Sequence, residues 1–300
     1  MSAAERPLEG QVAVVTGGGK GLGRAFARHL ADLGAAVVVN NRNRQVDAQG
    51  RGAADHVTSE ILAAGGRAVA HHGDVADPET GTSLVQLALE HFGRLDICVT
   101  SAAVSMPQML HKTSAEHFRT VMEVNVTGTA LVIAPALAHM RAAGHGRLVL
   151  VASTAGLHGE PTVSAYAASK GAVIALGRTA AAEGAPKGVL TNVLLPYATT
   201  QMTEQGMDPR HADRMRSELV APVVGALADP RCTLNGQVVV AAGSGIRLAE
   251  SVEGGTVRLP DAARLDPFVL SDLLDRSRAG ERHTYSDAQA AFQSLAADLA

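Results

Sequence analysis

Short, almost wholly apolar runs at 12–15, 36–39, 68–70, 95–99, 147–152, 189–195 and 238–241 alternate with stretches of helical period at 24–33, 53–64, 78–92, 115–140 and 164–182. The punctuation agrees. Gly34 and Gly65-Gly66 close the first two helices, and Pro78-Glu79 opens the third. A strand with one wet face alternates apolar and polar residues. These runs do not, so they are predicted to be buried on both faces, as in a parallel sheet covered by helices. Repeated strand–helix units then predict an α/β fold: a doubly wound, Rossmann-type parallel sheet, one domain over residues 1–245. Residues 246–300 lack the strand rhythm. They are expected to form a C-terminal extension, helical over 285–299, that packs on the core or on a partner subunit. Two connections are longer than their task requires, 40–52 and 199–221. The second is expected to be either a lid over substrate or a mobile surface loop.

Composition narrows the function classes. With 300 residues, 46% hydrophobic and 18% charged, the chain has ample material for a core. A formal charge of −3 with no basic cluster argues against a nucleic-acid partner. Cys98 and Cys232 are far apart and fit neither a disulfide framework nor a metal-ligand spacing, so a reducing, cytoplasmic location is expected. The first ten residues carry no apolar signal core and no run of 18 apolar residues occurs, so no membrane partner is expected. No histidine lies in an H-E-x-x-H motif. His71 and His72, adjacent at a strand end, point to opposite faces, so no metal is expected.

The first chemistry-bearing motif follows the first strand: Thr16-Gly17-Gly18-Gly19-Lys20-Gly21-Leu22-Gly23. Glycines permit positive φ and close approach of a ligand to the backbone. The helix that opens here offers free N–H groups and a positive dipole end to a pyrophosphate. Gly17, Gly21 and Gly23 are spaced one residue wider than G-x-G-x-x-G, but their place between an apolar strand and a helix predicts a dinucleotide site. Cofactor choice is read after the second strand, where an acid favours NAD. Here stand Asn40-Asn41-Arg42-Asn43-Arg44. Arg42 or Arg44 can pair with a 2′-phosphate, which favours NADP. Asn41 can still bond a ribose hydroxyl, so NAD stays open, and so does a plain solvated loop.

The second motif is Tyr166 and Lys170, four apart on one predicted helix and so on one face. A nearby ammonium is expected to lower the phenol pKa from about 10. Ser153 ends the fifth strand, where open α/β sheets bind ligands. It is placed to bond a substrate oxygen while Tyr166 exchanges its proton.

With these residues in order the chain resembles the short-chain dehydrogenase/reductase family over roughly residues 8–245. The likeness rests on Thr16 to Gly23, on Asp74-Val75, on Asn125 in Val124-Asn125-Val126, and on Ser153 with Tyr166-Ala167-Ala168-Ser169-Lys170. The resemblance implies an NAD(P)(H)-dependent oxidoreductase acting on a small carbonyl or alcohol, in which Tyr166 is the acid/base and Ser153 orients the carbonyl. Lys170 would hold the nicotinamide ribose, and Asn125 would support a water in the proton relay. It also implies that Gly17, Lys20, Gly21, Leu22, Gly23, Asn41, Arg42, Asp74, Val75, Ser101, Ala102 and Thr200 join Tyr166 and Lys170 in holding the cofactor. Family habit and the helical tail imply a homodimer or homotetramer.

Two departures stand out. The family's Asn-Asn-Ala-Gly is Thr100-Ser101-Ala102-Ala103, and its Pro-Gly after the sixth strand is Pro196-Tyr197. Tyr197 is left between contact with substrate and simple packing. His158, His111, Met106 and Met109 are weaker pocket candidates. The 40–52 connection and Leu195 to Thr203 are similar to the (3R)-hydroxyacyl-CoA dehydrogenase domains of peroxisomal multifunctional enzymes type 2. That subgroup has an aspartate where this chain has Asn41, and Ala297-Asp298-Leu299-Ala300 matches no peroxisomal signal. A stand-alone ketoreductase on an acyl-thioester or polyketide-like ketone is therefore expected. An NAD-dependent 3-hydroxyacyl-CoA-type dehydrogenase and a non-redox nucleotide sensor remain as alternatives.

Overall fold

The computed structural model describes residues 6–42, 45–198, 209–259 and 265–300. The apolar runs become strands β1 (Val12–Thr16), β2 (Ala36–Asn40), β3 (Arg67–His71), β4 (Ile97–Thr100), β5 (Gly146–Val151), β6 (Val189–Tyr197), β7 (Val238–Ala242) and β8 (Gly245–Ala249). They form one sheet in the order β3-β2-β1-β4-β5-β6-β7-β8, with every registered pair from β3 to β7 parallel. β1, β2, β4 and β5 are buried at every position. Burial on both faces explains why their sequences do not alternate.

Helices cover the two faces: α1 (Gly21–Asp32), α2 (Ala53–Ala63), α3 (Thr80–Phe92), α4 (Ala115–Met122), α5 (Gly128–Ala143), α6 (Ala155–His158), α7 (Ser164–Gly184) and α8 (Ala221–Ala228). On one side Phe26 and Leu30 of α1, Val57 and Ile61 of α2 and Val224 and Leu227 of α8 pack with Val15, Val37, Val39 and Val149 of the sheet. The predicted helix over 115–140 is two helices joined by a π turn at Glu123–Thr127. By length and mean hydropathy of 1.5, Ala115–Ala143 would suit a bilayer. Its packing on α3, α7, β4 and β5, with Asn125 fully buried in its middle, accounts for that apolarity as a core helix's.

The strand order reverses on either side of β1, and this reversal positions the site. A crevice opens there at the carboxyl ends of the strands. Beyond the first compact unit, which ends at Leu248, a second runs from Ala249 to the C-terminus. Here the sequence reading needs two additions. Gly245–Ala249 is a strand, hidden because its side chains are mostly exposed and its pattern is short. Pro267–Ala279 is helix α9, started by the Asp266 carboxylate, which accepts from the Phe268 and Val269 N–H groups. Helix α10 (Ala288–Leu299) is capped likewise by Asp287.

Candidate active site

The glycine turn has the shape expected of a phosphate cradle. Gly17 has φ +64°, and a Cβ there would lie 2.8 Å from the Ala102 backbone. A Cβ on Gly23 would lie 2.2 Å from the Gly17 carbonyl oxygen, so the turn and α1 close on each other only with glycine. Lys20 precedes α1 without a side-chain cap, so the first N–H groups of Gly21, Leu22 and Gly23 face the turn without a capping side chain. Thr16 fixes the opposite wall: its Oγ1 accepts from the N–H groups of Ser101 (3.2 Å) and Ala102 (3.3 Å).

An open cleft with a cavity volume of about 120 Å³ runs past these groups. It is lined by Gly17, by Asn40 to Arg42, by Gly73 to Val75, by Ser101 to Val104, and by Val124. A glycine turn, an uncapped helix start and a crevice at the strand-order reversal together fit a dinucleotide. Ala103 lines the cleft without strain, since Thr162 alone among the described non-glycine residues has positive φ.

At the end of the cleft near β2, Arg42 pairs with Asp74 at 2.8 Å, and the Asn41 amide lies over Gly19. Arg44 and Thr200 lie outside the described residues. Sequence reasoning missed Asn40. It is 1% exposed, its amide donates to the Gly73 carbonyl (2.9 Å), and its own carbonyl accepts from Gly18 N–H (2.8 Å). It thus ties the glycine turn to the Gly73–Val75 loop. The available signal was a polar residue ending the run Val37-Val38-Val39, since a buried amide must find partners. His71 completes this tie: its Nδ1 accepts from Gly73 N–H and lies 3.1 Å from the Asn40 amide, and its Nε2 lies 2.9 Å from Ser83 Oγ. Burial lowers the His71 pKa, with His72 adding to the shift. His72 turns instead to the Asp55 carboxylate at 3.0 Å.

The structure brings Ser153, Tyr166 and Lys170 together. Ser153 follows β5, and Tyr166 and Lys170 lie on the first two turns of α7. Lys170 Nζ is 5.6 Å from the Tyr166 ring centre and donates to the Val151 carbonyl at 2.9 Å. Burial lowers the Lys170 pKa from 10.5 to about 8. The expected lowering of the tyrosine pKa does not hold in this state. Burial raises the Tyr166 phenol above its usual value, and the hydrogen bond from Ser153 opposes that only in part. The physical reason is desolvation: the ammonium meant to stabilise phenolate is itself disfavoured by the same burial.

Asn125 sits at the π turn, fully buried. Its side chain accepts from Val104 N–H (2.8 Å) and donates to the Val104 carbonyl (3.0 Å) and to Ser169 Oγ (2.9 Å). Ser169 in turn donates to the Tyr166 carbonyl at 2.7 Å. Asn125 therefore fastens the cleft wall at Val104 to the helix that carries the tyrosine. Its backbone carbonyl accepts from Thr129 Oγ1 (2.8 Å). Ser169 and Thr16 act here although the sequence motifs that contain them assign neither a task; a buried hydroxyl has no pattern until its partners are known. Of the weaker candidates, His158 is exposed at the end of α6, and Met106 and Met109 are exposed beyond β4.

Comparison with known proteins agrees with this geometry. A family model for short chain dehydrogenases matches residues 11–211. A short-chain type dehydrogenase/reductase of Mycobacterium tuberculosis is 37% identical over 80% of this chain and 85% of its own length. A 3-oxoacyl-[acyl-carrier-protein] reductase of Synechocystis is 36% identical over 66% of this chain and 78% of its own. The solved structure of full-length peroxisomal multifunctional enzyme type 2 from Drosophila melanogaster superposes with a TM-score of 0.80 at 30% identity. That match takes in 97% of this chain but 49% of the fly protein, so the chain spans about half of that relative.

Proposed function

The chain belongs to the short chain dehydrogenase family, and on that premise we propose that it is an NADP(H)-dependent reductase of ketones with Tyr166 as the acid. The observation that carries this reading is the convergence of Ser153, Tyr166 and Lys170 beside a glycine-lined dinucleotide cleft. Gly17, Gly21, Leu22 and Gly23 would hold the pyrophosphate, with Lys20 at its edge. Asn41, Arg42, Asp74 and Val75 would hold the adenosine end, and Ser101, Ala102 and Lys170 the nicotinamide end. Bound nicotinamide supplies the hydride when reduced and accepts it when oxidised.

The protein's own residues manage the oxygen and its proton. The Ser153 hydroxyl and the Tyr166 phenol both meet the carbonyl oxygen, and the phenol gives up its proton as that oxygen gains charge. Burial holds the Tyr166 phenol above its usual pKa, so it is in the protonated form that an acid for carbonyl reduction needs. Lys170, titrating at about 8, holds a proton at Nζ that can be returned towards the phenolate. A ketone on an acyl thioester or polyketide-like chain is the proposed substrate, supported by the name of the Synechocystis relative. Assembly as a homodimer or homotetramer belongs to the same reading, and light scattering measures it.

NAD as cofactor is the second reading, and one observation favours it: Asp74 already offsets the Arg42 charge. Fluorescence titration decides between them. NADPH binding at least ~10-fold tighter than NADH would support a phosphate held by Arg42; the reverse would move the reading to a dehydrogenase of 3-hydroxyacyl type. Tyr166→Phe should lower kcat by ~10² or more while leaving nucleotide affinity in place. Full turnover in that variant would refute Tyr166 as the acid, nucleotide binding by a wild type that turns over no carbonyl or alcohol would leave a non-redox sensor, and binding of neither nucleotide would refute both.

A further inference from the structure

Tyr197 has no task in this scheme. It ends β6, where the family resemblance has glycine, and the residue is 47% exposed. Yet it is held. Its phenol oxygen accepts a 2.8 Å hydrogen bond from Thr154 Oγ1, and Thr154 directly follows Ser153. The register shows how these residues meet. β5 and β6 run parallel with Val151 opposite Leu194, and Thr154 and Tyr197 each lie three residues beyond that pair. Both therefore stand at the carboxyl edge of the sheet, where the crevice opens. The backbone around the ring is stiff: Pro196 restricts φ before it, and Ala198 after it is 4% exposed. A ring serving only to pack would be buried, and an idle surface ring would be free at its tip. Tyr197 is half open to solvent at the strand ends and tethered at both ends.

We infer that Tyr197, latched by Thr154, is a specificity-determining residue: its ring walls the substrate side of the crevice beside Ser153 and limits the bulk of the groups borne by the carbonyl carbon. This rests on the reading that Ser153 and Tyr166 receive a substrate carbonyl. Glycine here would leave the wall open, so this chain favours slimmer ketones than a relative with the usual residue. The latch also steadies the turn that carries Ser153, so loosening it should let the wall give way in part.

The test uses the full chain with saturating NADPH or NADH and ketones graded in bulk: butanone, acetophenone and acetonaphthone, with ethyl and tert-butyl acetoacetate. The readout is the ratio of kcat/KM for the bulky ketone to that for the slim one in each pair. Tyr197→Gly should raise this ratio by at least ~10-fold, mainly through KM for the bulky member. Tyr197→Phe and Thr154→Val keep most of the side-chain volume and break only the latch. They should raise the ratio by about 3-fold, and they still test the proposal if the glycine variant does not fold. Unchanged ratios in the folded variants of an active wild type, with at most a lowered Tm, would overturn the inference alone and make Tyr197 a packing residue. A wild type that binds nucleotide but reduces neither these ketones nor an acetoacetyl thioester would overturn the reductase reading, and this inference with it.

Discussion

Lys170 is a buried amine whose usefulness and stability pull in opposite directions. Its ordinary pKa of 10.5 falls to about 8 because burial disfavours the charge. Below pH 8 the amine is charged in both the folded and the unfolded chain, and the folded state bears the desolvation. Between pH 8 and 10.5 the unfolded chain still binds the proton that the folded chain has released, so this group's contribution to stability rises with pH. Lys170→Met removes the charge and keeps an unbranched chain of similar length. At pH 7 it should therefore melt several degrees above the wild type while losing turnover. The gap should shrink steadily from pH 8 to 10.5. Thermal melts of both proteins across that range check this, and a gap that ignores pH would contradict the buried-charge account. The pair of residues was legible from its i, i+4 spacing. The direction of the tyrosine shift was not, because desolvation depends on what the fold lays over the ring.

At the scale of elements, the glycine turn and α1 act as one unit. Gly23 packs so closely on the Gly17 carbonyl that a single methyl must push the two apart. Gly23→Ala should destabilise the chain by about 1–3 kcal/mol, as overpacking does. It should also weaken nucleotide binding, because the helix N–H groups retreat from the phosphate. Urea unfolding and the NADPH titration measure the two effects, and an alanine variant with native stability and affinity would sink the argument. This turn could be read directly from the chain, since glycine spacing records backbone shape and apolar runs record burial. Other elements left no such record. The π turn at Glu123–Thr127 looks like continuous helix in sequence, because one extra residue per turn barely disturbs the apolar stripe. It matters because it carries Asn125, whose three hydrogen bonds join Val104 to α7. β8 escaped notice because an exposed edge strand has no buried face to impose a pattern. Asn40 and Thr16 show the same limit among side chains: their partners lie far along the chain and meet them only at the strand ends.

The sheet gives the whole molecule a built-in reporter of its own unfolding. Cys98 lies on β4, between β1 and β5 at the centre of the first compact unit, and is 1% exposed. Burial pushes its thiol up to about 12, so at pH 8 almost no thiolate is present to react. Cys232 is only half-buried, in the segment between α8 and β7. The two thiols should therefore separate cleanly with a disulfide reagent such as dithionitrobenzoate. One equivalent should react with the native chain, and the second only at the rate at which the central strands come apart. Local opening reaches edges and loops first, whereas a strand flanked on both sides opens with the core. NADPH at a hundred times its Kd should slow the second phase by up to about 100-fold, as expected for a ligand that binds only the folded state. Two fast equivalents would mean that the centre of the sheet opens independently of the rest. A second phase indifferent to nucleotide would mean that the cleft and the sheet do not unfold together. Either result would undo the view that the site at the strand ends and the core beneath it are one cooperative structure.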